Sequence, residues 1–348
     1  MESTVVHSRS DVEPFPHLEY SVLLVNFNMG ALTGCVIENV ATQLRGRRFE
    51  IIVADNSTDP GARLSSYLNQ LPDNVRLLNL TDNRGFVDAL NRIIPLARGR
   101  WMVIMHPDVE FKSGCLGSLV EFLKQHPRAA VASPNLFYPD GQPNKIRLRL
   151  PTIPSECRRF ANKLSYILLR RQFLRDEVLW NRTNDCTSDM VMSVCMIWRG
   201  EALRQIAPID SRFVFYYAND YLCSRALKLG WTCHYVLGAY AIHCERHAPR
   251  EMYSAKSVMD YKTSTIAANP RMRADYLIFL TLCYPLASRS VLRLVALFED
   301  GLQLLAHLRQ GSRRKAEIGM LWESIRIDLG LRRAWNRNVG RLVKTQVE

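Results

Sequence analysis

The chain has 348 residues, of which 47% are hydrophobic, and carries nine cysteines and a formal net charge of +13. It can bury a real core, as one large domain or a domain with an appendage, and its scattered, odd-numbered thiols exclude a disulfide framework and fit a reducing cytosol. The charge is uneven: Lys145 to Arg182 and Arg271 to Glu348 each carry +7 and the remainder −1, which points to an anionic surface or substrate rather than nucleic acid, whose aromatic-interleaved and zinc-finger patterns are missing.

Residues 1–19 form a polar, acid-bearing extension, unlike a signal peptide. Tyr20 to Asn28 reads as a strand ending in two asparagines, followed by a helix over about Leu32 to Leu44. Phe49 to Asp55 is a second strand, closed by Asn56-Ser57-Thr58-Asp59 and Pro60-Gly61. A helix is expected from about Arg63 to Gln70, a third strand over Val75 to Leu80, and helical spacing from Val87 to Ala97. The apolar run Trp101-Met102-Val103-Ile104-Met105 then stops at His106-Pro107-Asp108-Val109-Glu110. Such a run reads as a buried parallel strand, and proline ends it because it cannot donate to the ladder.

Strands alternating with helices predict a parallel sheet with right-handed crossovers. In that architecture Asp108 and Glu110 sit at the carboxyl end of a central strand, where ligands bind. Their hard oxygens suit a divalent metal that also holds phosphate, with an acidic turn as the plain alternative. Polar ends on the first, second and fourth strands favour a nucleotide crevice. With no Gly-x-Gly-x-x-Gly and no Walker lysine loop, a dinucleotide fold or phosphate-loop ATPase is disfavoured.

Val25-Asn26-Phe27-Asn28, Val53 to Asp59, Asp82-Asn83-Arg84-Gly85-Phe86 with Asn91, and His106-Pro107-Asp108-Val109 occur in that order. In order and spacing these motifs resemble family-2 glycosyltransferases, in particular the bacterial rhamnosyltransferase-like branch, through about Arg273. The resemblance implies a GT-A fold: a Rossmann-like, mostly parallel sheet flanked by helices, over residues 20–273. Its nucleotide-sugar half would span about 20–142 and its acceptor half about 143–273, with a basic helical tail over 274–348. It further implies donor contacts from Asn26, Asn28, Asp55, Asn56, Asn83, Gly85, Phe86, Asn91 and Asp108. Asp55 would meet the nucleobase or ribose, and Asp108 would bridge a Mg²⁺ or Mn²⁺ ion to the diphosphate, with His106 and His243 as further ligands. The family has Asn or Asp where this chain has His106, and histidine suits Mn²⁺ better than Mg²⁺.

Beyond a Pro-Asp-Gly turn at Pro139-Asp140-Gly141, the stripe Leu164 to Leu169 with Arg170, Arg171 and Arg175 reads as a solvated surface helix or an element facing anionic headgroups. Met190 to Trp198 is an apolar strand, in which Ser193 stands where the resemblance has glycine. Phe213 to Ala226 matches a motif whose acid pair supplies the general base; here Ala218 and Asn219 replace that pair. An amide cannot take up a proton usefully, so Asp220 is the candidate base, or else an ordinary helix N-terminal acid.

A last strand runs from about Gly230 to His243, and Arg246, His247 and Arg250 add cationic groups for a diphosphate. The helical tail carries Leu294, Leu297, Phe298, Leu302, Leu305 and Leu308 at helical spacing, with Trp322 and Trp335 beyond. Pro285, Arg289 and Arg293 interrupt any membrane span, so a cytoplasmic protein docked peripherally on the inner face of an anionic membrane is expected, with packing or a dimer contact as the alternative. The resulting expectation is an inverting, metal-dependent glycosyltransferase. It would move L-rhamnose from dTDP-rhamnose to a lipid-linked or polysaccharide acceptor, with no nucleic-acid partner. A UDP-sugar enzyme of the same fold, or a nucleotide-sugar-binding pseudo-enzyme, stands beside it.

Overall fold

The structure, a computed structural model, describes residues 5–6, 18–68, 71–144, 146–147, 149–169, 178–179, 185–244, 270–308 and 315–328. In chain order the elements are β1 (Val5–Val6), β2 (Tyr20–Asn26), α1 (Gly30–Gln43), β3 (Phe49–Asp55), β4 (Val75–Asn79), α2 (Phe86–Ile93), β5 (Trp101–Met105), β6 (Val109–Phe111), α3 (Cys115–Gln125) and β7 (Ala129–Phe137). They continue with β8 (Ile146–Arg147), α4 (Ile153–Leu169), β9 (Val178–Leu179), β10 (Cys186–Ser188), β11 (Cys195–Arg199), α5 (Gly200–Ile206), α6 (Ala218–Lys228), β12 (Thr232–His243), α7 (Pro270–Cys283), α8 (Leu286–Leu308) and α9 (Lys315–Asp328). Two compact units result: Met1–Arg149 with Val178–Ser211 and Asn219–Pro249, and Leu150–Glu177 with Arg212–Ala218 and Arg250–Glu348.

The first unit is built on a ten-stranded sheet in the order β1-β4-β3-β2-β5-β11-β7-β12-β10, with β6 paired to β12. β4, β3, β2 and β5 run parallel, as the alternation of strands and helices predicts. The sheet then turns mixed, because β11 enters antiparallel between β5 and β7 while β12 lies parallel to β7. β2 and β5 are buried throughout rather than alternating, the mark of strands covered on both faces. Val22, Leu24, Val53 and Val103 share one core with Val36 and Val40 of α1 and Leu116 and Leu119 of α3. The register sets Asn26 opposite Asp55 and Leu24 opposite Met105, so the carboxyl ends of the three central strands lie side by side.

Three local expectations differ. Over Arg63 to Gln70 there is no helix among the described residues, only two 3₁₀ turns at Pro60–Ala62 and Leu64–Ser66. Each turn starts on a carboxylate: Asp59 caps the first, accepting from Gly61 N at 2.9 Å, and Asp55 Oδ2 accepts from Leu64 N, the first amide of the second, at 2.8 Å. α2 ends at Ile93 and passes into a 3₁₀ turn containing Pro95, which cannot continue the ladder. The strand read over Met190 to Trp198 forms only as Cys195–Arg199. All nine cysteines are free.

In its described residues the second unit is built on the helices α4, α7, α8 and α9. Glu299 and Asp300 of α8 turn inward, to Arg159 and Lys163 of α4 at 2.8 and 2.9 Å and to Arg273 of α7 at 2.7 Å. Among the described residues, no helix is long and apolar enough to cross a membrane.

Candidate active site

The site grows from the end of β5. His106 N donates to Val194 O at 2.9 Å, and Cys244 N donates to Asp108 O at 2.7 Å, so the 106–108 turn is pinned between the start of β11 and the end of β12. β6 pairs with β12 so that Val109 lies opposite His243. These backbone constraints bring His243 Nε2 to 3.3 Å from Asp108 Oδ2. One ligand atom each from His106, Asp108 and His243 lies within 4.8 Å of the others. The Phe86 ring stands edge-on to His106 with centroids 5.7 Å apart.

Burial pushes the His106 imidazole down to about 4, against the Asp108 charge that favours protonation, so the ring is neutral at pH 7. Burial alone would raise the Asp108 carboxyl. The hydrogen bond from His243 and the neighbouring imidazoles outweigh it and hold Asp108 below its ordinary value. Asp108 Oδ1 is buried with no hydrogen-bond partner among the described residues. An ionised carboxylate with an unused oxygen beside two imidazoles is a donor set for a divalent cation, and the mixed nitrogen and oxygen chemistry fits Mn²⁺ better than Mg²⁺. Such a cation would be held by His106, Asp108 and His243.

The remaining motif residues divide into scaffold and free acceptors. Asn26 is spent internally: Nδ2 donates to Ser57 Oγ at 3.0 Å, while Oδ1 accepts from Met29 N and Thr33 Oγ1 at 3.1 and 3.0 Å. Asn28, at a left-handed φ of 54°, accepts from Thr58 N and Asp59 N at 3.1 and 3.2 Å. Asp55 is wholly buried, with Oδ1 on Ser57 N at 3.0 Å and Oδ2 on Leu64 N at 2.8 Å. Asn91 clamps Ile209 reciprocally at 2.7 and 2.9 Å. These four side chains tie together the loops that follow β2 and β3 and hold α2 to Ile209. Asn56 differs: Nδ2 donates to Asn83 Oδ1 at 2.7 Å, yet Oδ1 is buried without a hydrogen-bond partner among the described residues. Asn83 also accepts from Gly85 N at 3.1 Å, fixing the turn into α2, and Gly85 adopts φ 101°, ψ 177°, open in practice only to glycine.

Asp220 is buried in the first turn of α6, and Asn219 Nδ2 donates to Val191 O at 2.8 Å. Arg170, Arg171, Arg175, Arg246, His247 and Arg250 lie outside the described residues. One side chain beside the cluster escaped the motif reading: Asn144, buried after the Pro-Asp-Gly turn, sits 3.0 Å from His243 Nδ1. Only its place just past that turn marks it in the sequence.

The Glycosyl transferase family 2 model matches residues 21–194, half of the chain. N-acetylglucosaminyl-diphospho-decaprenol L-rhamnosyltransferase of Mycobacterium tuberculosis is 25% identical over 221 residues, 58% of this chain and 68% of that protein. The mannosyltransferase PcManGT of Pyrobaculum calidifontis, solved with GDP-Man and Mn²⁺, superposes with a TM-score of 0.50 at 15% identity, over 97% of this chain and 87% of its own. The likeness of fold, the matched motifs and the parallel sheet whose strand ends carry them lead to one conclusion: this chain belongs to glycosyl transferase family 2, with a GT-A fold and distant rhamnosyltransferase kinship.

Proposed function

We propose that this family-2 glycosyltransferase is an inverting, divalent-cation-dependent enzyme that transfers L-rhamnose from dTDP-rhamnose to a lipid-linked or polysaccharide acceptor. The observation that carries the cation is the convergence of His106, Asp108 and His243 with one Asp108 oxygen unspent. The mycobacterial relative's name, a rhamnosyltransferase acting on a diphospho-decaprenol-linked sugar, supports the donor and acceptor classes. When bound, Mn²⁺ or Mg²⁺ supplies charge stabilisation for a departing nucleoside diphosphate.

The protein's own groups do the rest. Asn56 Oδ1 offers an acceptor to the nucleoside, Gly85 keeps the loop over it tight, and Phe86 walls the crevice beside His106. Asp220, the sole carboxylate between Phe213 and Ala226, takes the proton from the acceptor hydroxyl. The freed oxygen bonds to the anomeric carbon opposite the diphosphate, whose own bond to that carbon breaks. Contact of the second unit with an anionic membrane on the cytoplasmic side belongs to the same proposal, since a lipid-linked acceptor is presented there.

Transfer assays with a panel of dTDP-, UDP- and GDP-sugars, with and without Mn²⁺, test it directly. Turnover of dTDP-rhamnose that requires Mn²⁺ and falls about 10²- to 10⁴-fold in Asp220→Asn is expected; unchanged turnover in that variant overturns the base. The second reading, a nucleotide-sugar binder without turnover, is favoured by Ala218 and by Asn219 being tied to Val191. It predicts donor binding by calorimetry with no product from any donor.

A further inference from the structure

We infer that Asn144 is a positioning residue of this site, whose amide selects which ring nitrogen of His243 carries the proton. The inference rests on reading His106, Asp108 and His243 as a cation site. The turn after β7 returns the chain to the sheet: Phe137 bridges Pro143, and Asn144 N donates to Leu136 O at 2.8 Å. Because β12 lies parallel to β7 with Ile242 opposite Phe137, this return sets Asn144 beside the end of β12. Its Nδ2 is 3.0 Å from His243 Nδ1. Both residues are buried, at 5% and 8% exposure, and Asn144 Oδ1 has no hydrogen-bond partner among the described residues.

A ring nitrogen that receives an amide N–H must present its lone pair, so the neutral imidazole carries its proton on Nε2. That nitrogen lies 3.3 Å from Asp108 Oδ2, so its proton faces the carboxylate. In this arrangement the Nε2 proton is directed at the Asp108 charge, and Nε2 has no lone pair to give. Ligation through Nε2 demands the opposite tautomer, with Nδ1–H seeking an acceptor. Half a turn of the Asn144 amide brings the idle Oδ1 to that position. The ring loses one proton at Nε2 and gains one at Nδ1 through solvent, so its net charge is unchanged. Asn144 therefore has two working positions, one holding the His243–Asp108 pair and one holding the ring for a cation.

The test uses the full chain labelled with ¹⁵N-histidine and two-bond ¹H–¹⁵N spectra at pH 8. Metal-free wild-type protein should show His243 protonated at Nε2, and Zn²⁺, a diamagnetic probe, should move the proton to Nδ1. Asn144→Asp can only accept, so it should show the Nδ1–H tautomer without metal and keep Mn²⁺ affinity within a few-fold by electron paramagnetic resonance. Asn144→Leu fills the same space with no hydrogen bond and should weaken Mn²⁺ about 10- to 100-fold. Wild-type Mn²⁺ affinity in Asn144→Leu, as a space-filling role demands, overturns the inference. A proton on Nδ1 in the metal-free wild type also overturns it, and that reading needs no variant to fold. Failure of the wild-type protein to bind Mn²⁺ or Zn²⁺ at all removes the cation site itself, a separate and recognisable result.

Discussion

At Asp108 a single carboxylate faces two imidazoles and keeps one buried oxygen unused. Asp108→Asn preserves shape but removes the charge a cation and a diphosphate would share. We expect transfer to fall about 10²- to 10³-fold while circular dichroism and melting temperature stay near the wild-type values; activity within a few-fold of wild type removes Asp108 from the chemistry. Asp275, in the helical unit, works differently. Its Oδ2 accepts from three successive amides, Val214, Phe215 and Tyr216, at 3.4, 3.0 and 2.8 Å. Burial nevertheless raises its carboxyl from 3.8 to about 6, because the amide bonds only partly offset desolvation. A folded value above the unfolded one stabilises the fold at low pH, and that contribution is lost as pH rises through about 6. Urea titrations of wild type and Asp275→Asn should therefore diverge between pH 4 and 7 by up to about 3 kcal/mol, the wild type losing relative stability as pH rises. Parallel pH profiles would show that the carboxyl does not titrate in this range.

The elements hold the site by close approach at their ends. A Cβ on Gly99 would fall 2.4 Å from Ser21 N and 2.8 Å from Ser21 Oγ. There the chain enters β5 against β2, and Ser21 Oγ both donates to Glu50 Oε1 at 2.6 Å and accepts from Gly99 N at 2.7 Å. Gly99→Ala must push β5 away from β2, and overpacking of this kind costs about 1–3 kcal/mol, read as a lower denaturation midpoint. At the opposite end of the sheet, Gly85→Ala forces a side chain into φ 101°, a strain of about 1–3 kcal/mol placed next to Asn56 and Asn83. Nucleotide affinity should fall there more than global stability does; equal losses would mean the turn serves the fold alone.

On the molecular scale, α8 has one face free of acids. Its only carboxylates, Glu299 and Asp300, are buried against arginine and lysine partners, and those cations hold Glu299 well below the ordinary range despite burial that raises it. What faces outward is apolar: Leu294 is 54% exposed, Phe298 65% and Leu305 61%, with Leu286 and Val291 exposed as well. An apolar stripe about 28 Å long, in a segment (Arg271 to Glu348) that carries +7, suits an anionic lipid surface. Flotation with vesicles containing phosphatidylglycerol should capture the wild-type protein. Leu294→Glu with Phe298→Glu should weaken that capture tenfold or more, and equal capture by neutral vesicles or a stable dimer in solution would count against a lipid surface.

The run Trp101 to Met105 broken by His106-Pro107-Asp108 was enough to place a buried strand with a polar carboxyl end, because continuous apolarity and a proline stop are local signals. The order of the asparagine motifs identified the family on the same footing. Sequence spacing could not say what each polar side chain spends itself on. Asn26, Asn28, Asp55 and Asn91 read as donor contacts in a motif and also make internal hydrogen bonds, while among the described residues of that set Asn56 and Asp108 keep a buried acceptor oxygen without a hydrogen-bond partner. Where a helix was expected from Arg63, two 3₁₀ turns stand instead, their first amides held by Asp59 and Asp55, whose positions the tertiary structure sets. By itself the sequence determined the alternating α/β frame, the family and the strand end that carries the matched motif residues. Tertiary structure alone decided that His243 reaches Asp108, that Asn144 stands behind it, and which face of α8 is bare. Those contacts join residues about a hundred or more positions apart, and strand register and helix packing set them rather than any pattern along the chain.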